Sequence, residues 1–236
     1  MHTHPLLMLH GALGAAAQFG PLRDALRDLS GDGVIAHTLD FEGHGAARSR
    51  TRPFRAPGFV ENVRELLDRH RIERASIFGY SMGGYVALCL AAAEPRRVER
   101  VMTLGTKFHW TPEVAEREGR MLDARRIEEK VPHFARALAT RHVAAGWEQV
   151  LERTREMMQA LGARPDLDDA TLGRIAIPVR IAVGDRDATV GVEESAAVVR
   201  ALAQGELEVL PRTPHPLEQV PVERLARSIV EFLATG

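Results

Sequence analysis

The stretch that decides the fold is residues 75–93, Ala-Ser-Ile-Phe-Gly-Tyr-Ser-Met-Gly-Gly-Tyr-Val-Ala-Leu-Cys-Leu-Ala-Ala-Ala. The apolar run from Ala75 to Tyr80 is typical of a buried strand, and a helix-forming run follows it directly. Ser81 stands between them in a Gly-x-Ser-x-Gly turn, the signature of a nucleophile elbow. Such a turn strains the serine backbone and projects its hydroxyl from the strand end. The alternative, an ordinary crossover with a chance serine, is disfavoured by the strand before it and the helix after it.

Short apolar runs alternate with helical patterns on both sides of this stretch. Strands are predicted at 5–9, 33–39, 75–80, 98–104, 178–183 and 207–210. Helical spacing is found at 17–29, 59–71, 191–203 and 222–233. This order predicts an α/β fold with a doubly wound, mostly parallel sheet of about six strands.

The alternation stops between residues 107 and 165, where no strand candidate occurs. The segment is rich in Glu, Arg, Ala and Met. Its start, Thr111-Pro112-Glu113, has the N-cap, first-turn proline and acidic residue of a helix N-terminus. We therefore expect a helical insertion of about three segments at 107–165, set into one core made of residues 1–106 and 166–236.

The bulk composition excludes several classes of protein. A net charge of −1 gives no electrostatic basis for binding nucleic acid or an anionic membrane, and no apolar run reaches membrane-spanning length. The single cysteine, Cys89, cannot form an internal disulfide and fits a reducing compartment. No signal-peptide pattern is seen, so a cytoplasmic location is predicted. We expect His2 and His4 to lie in a frayed N-terminus rather than to form a metal site.

Polar loops follow two later strands, and they carry the partners that a serine nucleophile needs. Asp185 and Asp187 follow the strand at 178–183, and His215 follows the strand at 207–210. Loops after parallel strands gather at the carboxyl edge of the sheet, where Ser81 also lies. A serine hydroxyl needs a base to take its proton, and the base needs an orienting acid. From the residues alone, either aspartate could supply that acid.

Together these motifs resemble those of the α/β-hydrolase family from His10 to Pro221. The matching pieces are His10-Gly11, Asp40-x-x-Gly43-His44-Gly45, the elbow Gly79-Tyr80-Ser81-Met82-Gly83-Gly84, Gly184-x-x-Asp187, and His215 followed by Glu218 and Pro221. The resemblance implies an α/β-hydrolase fold whose variable helical cap corresponds to about 107–165.

The resemblance also implies a role for each site residue. Ser81 is the nucleophile, His215 the general base, and Asp187, favoured by the Gly-x-x-Asp spacing, the orienting acid. The backbone N–H groups of Ala12 and Met82 form the oxyanion hole. No metal and no cofactor are implied.

The chain departs from the family pattern at its start and in the loop Asp40-Phe41-Glu42, which carries Glu where proline is common. Family members usually have two antiparallel strands before the His-Gly strand, but only four residues precede Pro5 here. The sheet is therefore expected to be shortened, and a second copy of the chain could cover the exposed edge as a homodimer. His10 and His44 are expected to brace loops rather than to act as bases.

These features predict a cofactor-independent serine hydrolase that cleaves small carboxylic esters through an acyl-enzyme on Ser81. A thioesterase, a carbon–carbon bond hydrolase, a lactonase or a perhydrolase would use the same triad. A non-hydrolysing binding protein and a lyase that only removes a proton are further alternatives. The expected partner is a small-molecule acyl substrate. The candidate pocket residues, of which those in the insertion could equally form its core, are Tyr80, Trp110, Phe134, Trp147, Met157 and Met158.

Overall fold

A computed structural model describes residues 4–234 and shows a single sheet of six parallel strands. The strands are β1 His4–Leu9, β2 Val34–Thr38, β3 Ala75–Tyr80, β4 Val98–Leu104, β5 Val179–Gly184 and β6 Gly205–Leu210. Their order across the sheet is β2-β1-β3-β4-β5-β6, and every neighbouring pair is parallel. The predicted fold class is confirmed. His4 begins β1 instead of fraying, and His2 lies outside the described residues.

Helices cover both faces of this sheet. Those of the core are α1 Gly20–Ser30, α2 Ala56–Arg69, α3 Met82–Ala93, α8 Asp169–Gly173, α9 Val192–Ala201 and α10 Val222–Ala234, with α4 to α7 in the insertion. Alternate side chains of β1 enter different hydrophobic clusters: Leu6 packs with α1 and α10, and Leu7 packs with α2, α3 and α9. Because strand side chains alternate between faces, each strand contributes to both layers of the core.

The insertion between β4 and β5 contains four α-helices, one more than the expected three or so. They are α4 Pro112–Gly119, α5 Ala124–Lys130, α6 Pro132–Arg141 and α7 Trp147–Ala163, and we call them together the cap. The extra break falls at Asp123, whose carboxylate accepts a hydrogen bond from the N–H of Arg126 at 2.8 Å and caps a new helix. The Thr111 hydroxyl caps α4 by accepting from the N–H of Val114, as its sequence predicts.

Among the described residues, the outer strands β2 and β6 each pair with a strand on one side only, and Ile35 on β2 is 45% exposed. Among the helices of residues 4–234, none combines the length and the apolar character needed to cross a bilayer.

Candidate active site

Ser81 occupies a strained turn between β3 and α3. Its backbone has φ 51° and ψ −118°, which is unusual for a residue other than glycine and costs about 1–3 kcal/mol. The turn is held by the Ser81 N–H, which donates to the Leu104 carbonyl at 2.8 Å, and by the Thr106 hydroxyl, which donates to the Ser81 carbonyl at 2.9 Å. Gly83 lets α3 lie against the end of β1, because a Cβ there would collide with the Leu9 carbonyl. The elbow geometry is therefore built by close packing of three strand ends.

His215 and Asp187 form a hydrogen-bonded pair. His215 Nδ1 lies 2.7 Å from Asp187 Oδ2, and because the ionised carboxylate only accepts, Nδ1 is the donor and Nε2 is free to take a proton. The other carboxylate oxygen accepts from the N–H groups of Thr189 and Val190 at 2.8 and 2.9 Å. Burial alone would raise the pKa of Asp187, but the His215 contact and these N–H groups outweigh it and lower that pKa. The carboxylate thus stays ionised and fixes the imidazole.

The neighbouring carboxylate, Asp185, has a different set of contacts. Its Oδ1 accepts from the N–H of Thr213 at 3.1 Å, within the loop that leads to His215. A hydrogen bond from the Arg212 backbone, together with a weaker one from Thr213, outweighs the opposing effect of desolvation and lowers the pKa of Asp185. Asp185 therefore shapes the loop, and Asp187 is the aspartate paired with the imidazole.

The loop that carries His215 lies against the elbow. A Cβ at Gly105, which follows Leu104 and has φ 60°, would lie 3.1 Å from Asp187 Oδ2 and 3.2 Å from the His215 ring. The Tyr80 hydroxyl donates to the His215 carbonyl at 2.9 Å. Tyr80 at the end of β3 and Gly105 just after β4 thus lie against the His215–Asp187 pair, which places all three loops at one edge of the sheet.

Tyr80 was also expected in the pocket, but it is not among the residues that line the cavity at Ser81 and instead braces the His215 loop. The side chain is buried, and burial, followed by the nearby carboxylates of Glu218 and Asp187, raises the pKa of its hydroxyl. The phenol therefore stays protonated and keeps its hydrogen bond to the carbonyl of His215.

The two residues proposed to supply the oxyanion hole, Ala12 and Met82, line the same cavity as Ser81. A Cβ at Gly11 would lie 3.1 Å from Ser81 Cβ, so the loop after β1 rests against the nucleophile. The loop is tightened by a hydrogen bond from the Gly14 N–H to the Gly11 carbonyl at 3.1 Å. Both residues thus lie next to the serine, where a tetrahedral oxyanion would need two N–H donors.

The cavity at Ser81 has a volume of about 70 Å³ and a mostly apolar wall. Three of the predicted pocket residues line it: Trp110, Met157 and Met158. A larger open groove of about 730 Å³ on the cap is lined mostly by charged side chains and does not include Ser81. The small apolar cavity is the one that adjoins the nucleophile.

Phe134 and Trp147 were also expected in the pocket, but they lie in the cap's own hydrophobic cluster with Leu138 and Leu151. Trp147 begins α7, whereas Met157 lies ten residues later, about 15 Å along the helix axis. Only the second half of α7 reaches the cavity. The spacing of apolar residues cannot distinguish the two ends of one amphipathic helix.

Several cavity residues were not predicted from the sequence. The additional wall residues are Ala56, Phe59, Tyr85, Val86, Lys107, Glu118, Leu161 and Thr189. A signal existed for Tyr85, which lies one helical turn after Ser81 and so faces the same side. Lys107 is nearly buried, with its ammonium 2.9 Å from the Thr189 carbonyl and 3.4 Å from Glu194. Nothing local in the sequence predicts where Glu118 of α4 points.

Buried histidines connect the loops around the oxyanion site. His10 Nδ1 donates to the Gly11 carbonyl at 2.7 Å, and its Nε2 accepts from the Phe41 N–H at 3.1 Å. Burial lowers the pKa of His10 to about 4, so the ring is neutral near pH 7 and suited to this bracing role. Within residues 4–234, no group of three or more His, Cys, Asp or Glu side chains is arranged to hold a metal ion.

The fold and this site define a class of protein. The family described as alpha/beta hydrolase fold matches residues 4–172, well over half of the chain. The chain therefore belongs to the α/β-hydrolase family.

Individual relatives make the comparison more specific. A 2-hydroxy-6-oxononadienedioate/2-hydroxy-6-oxononatrienedioate hydrolase of Paraburkholderia xenovorans is 26% identical over 97% of this chain and 86% of its own length. An sn-1-specific diacylglycerol lipase of Xenopus laevis is 32% identical, but the match spans only 42% of this chain and 31% of that relative. A thermophilic esterase of Thermogutta terrifontis superposes with a TM-score of 0.76 at 22% identity, covering 98% and 89% of the two chains. Both sequence relatives are hydrolases, and hydrolase activity is accordingly assigned to this chain.

Proposed function

We propose that this protein is a cofactor-independent serine hydrolase that cleaves small carboxylic esters, with Ser81 as the nucleophile. The observation that carries the proposal is the 2.7 Å His215–Asp187 pair packed against a strained serine turn. A serine in such a turn needs a base to take its proton, and an imidazole whose Nδ1 is held by a carboxylate can act as that base through Nε2.

The reaction follows from these groups. Ser81 Oγ attacks the ester carbonyl carbon while His215 Nε2 takes the hydroxyl proton, and the Ala12 and Met82 N–H groups stabilise the oxyanion. His215 then gives the proton to the leaving alkoxide, and an acyl-enzyme remains on Ser81. A water molecule, deprotonated by His215, attacks the acyl carbon, the bond to Ser81 Oγ breaks, and His215 returns the proton to Oγ as the acid leaves. Asp187 stabilises the imidazolium at each step.

The size and polarity of the cavity support a small acyl group. Its volume of about 70 Å³ is well below the ~300–1,000 Å³ typical of sites for drug-sized ligands. Met157 and Met158 of α7 close it from the cap side. We infer that acetyl to butyryl groups fit best and that longer chains require Met157 or Met158 to move.

A carbon–carbon bond hydrolase is the second candidate. It is favoured by the Paraburkholderia xenovorans relative, whose match covers almost the whole chain. The same serine, histidine and aspartate would act on a ketone carbonyl, and the leaving group would be a stabilised carbanion that takes the proton held by His215. A thioesterase, a lactonase and a perhydrolase would also use the same triad, and a binding protein would keep the pocket without turnover.

A substrate panel tests the proposal. We expect p-nitrophenyl acetate and butyrate to be hydrolysed at rates well above those of p-nitrophenyl octanoate, of acyl-CoA thioesters and of vinylogous 1,5-diketones. Ser81→Ala should lower kcat for the short esters by about 10⁴-fold or more. Preferential cleavage of a diketone would support the second candidate. Absence of turnover across the panel by well-folded protein would contradict both.

A further inference from the structure

The loop that carries the proposed oxyanion donor Ala12 is attached to the cap through the next residue, Leu13. The Leu13 carbonyl accepts two hydrogen bonds, from Arg141 Nη1 at 2.9 Å and from His142 Nε2 at 3.0 Å. Arg141 is the last residue of α6 in the cap, and His142 follows it. Both donors to this carbonyl therefore come from the cap.

The side chain and backbone of Leu13 are also held by this attachment. The Leu13 side chain packs against the cap's own hydrophobic cluster, which includes Leu138 and Trp147. The Leu13 backbone has φ 53°, a left-handed conformation that a leucine adopts only where its surroundings compensate for the strain. If the cap moved away, the packing and hydrogen bonds that compensate for this strain would be lost together.

His142 links the cap to a second loop of the core. Its Nδ1 accepts from the Gly45 N–H at 3.0 Å, so the ring is the neutral tautomer that carries its proton on Nε2. The side chain is buried, at 1% exposure. One imidazole thus joins the loop after β1, the loop after β2 and the end of α6.

Arg141 extends the connection towards the general base. Its Nη2 lies 3.1 Å from Glu218, three residues beyond His215, and Glu218 also accepts from Gln18 at 2.6 Å. The pair Arg141–His142 therefore contacts both the oxyanion loop and the segment after His215.

We propose that Arg141 and His142 are positioning residues that hold the Ala12 N–H in the oxyanion hole, so the hole is complete only when the cap is seated. The inference rests on the proposed function, because it assigns the Ala12 N–H to the oxyanion of a Ser81 adduct. It makes the cap part of the catalytic geometry as well as the wall of the pocket. A misplacement of about 1 Å in a stabilising group can cost about 10²-fold in rate.

The test compares four variants with the wild type on p-nitrophenyl acetate. His142→Ala removes the bond to Leu13, and His142→Gln keeps an N–H donor of similar reach. Arg141→Met removes the other donor while keeping the aliphatic stem. Val143→Ala, at a neighbouring side chain that is 74% exposed, is the matched control.

We expect His142→Ala to lower kcat by about 10- to 100-fold with KM changed less than about threefold. The reason is that the displaced Ala12 N–H would stabilise the oxyanion of the transition state but not the bound substrate. His142→Gln should recover most of this loss, Arg141→Met should show a smaller drop in kcat, and Val143→Ala should equal the wild type. The affinity for a phenylboronic acid, whose tetrahedral adduct places an oxygen in the hole, should fall in parallel with kcat. A loss confined to KM, or boronate affinity unchanged in both His142→Ala and Arg141→Met, would overturn the proposal.

Hydrogen exchange separates failure of this inference from failure of the proposed function. We expect peptides that cover residues 10–16 to exchange faster in His142→Ala than in the wild type, while peptides from β3 are unchanged. If the wild type neither turns over nor binds boronate, the proposed function fails whatever the exchange result. If the wild type is active but the loop exchange and kcat of both Arg141→Met and His142→Ala are unaltered, only the inference fails. Should His142→Ala not fold, Arg141→Met, which leaves the buried ring intact, decides the outcome.

Discussion

At the scale of single residues, the site depends on which polar groups meet after the chain has folded. The sequence placed two aspartates after one strand, and their order along the chain could not choose between them. The structure distinguishes them by contacts: Asp187 is paired with His215, and Asp185 binds the Thr213 N–H. Motif spacing predicted the correct partner only through family resemblance. Hydrophobic periodicity could not choose between the two aspartates, because it carries no information about positions within a loop.

These different contacts predict different mutational effects. Asp187→Asn should lower kcat for p-nitrophenyl acetate by about 10³- to 10⁴-fold, because an amide cannot hold the required tautomer or stabilise the imidazolium. Asp185→Asn, the matched control, should stay within about tenfold of the wild type, because its carboxylate only supports the loop. Steady-state kinetics on both variants at pH 7.5 provides the comparison. A larger loss in Asp185→Asn than in Asp187→Asn would reverse the assignment.

At the scale of elements, the cap is where sequence-based prediction reached its limit. Its helical character and the start at Thr111 were predictable from capping residues and apolar spacing. Which side of each helix meets the core was not, because one apolar stripe serves both the cap's own cluster and the cavity wall. Met157 therefore lines the cavity while Trp147, on the same helix, does not.

The position of Met157 predicts a change in acyl-chain preference. Met157→Ala should shift the preferred p-nitrophenyl ester from acetate or butyrate towards hexanoate or octanoate, because the cavity gains the volume of the lost side chain. Since Met157 is 4% exposed, the same change should lower the free energy of unfolding by about 2–4 kcal/mol. Met121→Ala, at a side chain that is 68% exposed, should alter neither quantity. An unchanged chain-length profile in Met157→Ala would remove this residue from the acyl site.

At the scale of the whole molecule, the alternation of strands and helices was enough to predict the parallel sheet and the edge where the loops meet. The network of buried histidines between loops was less predictable, since His142 contacts residues about a hundred or more positions earlier in the chain. The expected homodimer stays a prediction. A solution mass of twice 26.0 kDa would support it, and a mass of 26.0 kDa would contradict it.

The buried histidines predict how the stability of the molecule depends on pH. Burial lowers the pKa values of His10, His44 and His142 below the ordinary histidine value of about 6.5, to about 4 for His10. Below pH 6.5 these histidines bind protons in the unfolded chain before they do so in the folded protein. The free energy of unfolding should therefore fall as the pH drops from 6.5 towards 4. His10 alone accounts for about 3 kcal/mol of that loss.

Urea unfolding at pH 7.5 and pH 5.0 measures this dependence. His10→Gln should be less stable than the wild type at pH 7.5 but should lose less stability between the two pH values, since one of the titrating groups is gone. Equal losses of stability in the two proteins would contradict this, because they would mean that His10 titrates alike in the folded and unfolded states between pH 5.0 and pH 7.5.

The central claim is that Ser81 is a nucleophile activated by His215 and Asp187, and covalent labelling tests it most directly. The protein is incubated with a fluorophosphonate, and the modified residue is identified by mass spectrometry of peptides. We expect one label, on the peptide that contains Ser81. It should be lost in Ser81→Ala and strongly slowed in His215→Ala. A label on another residue, or undiminished labelling of Ser81→Ala, would contradict the claim.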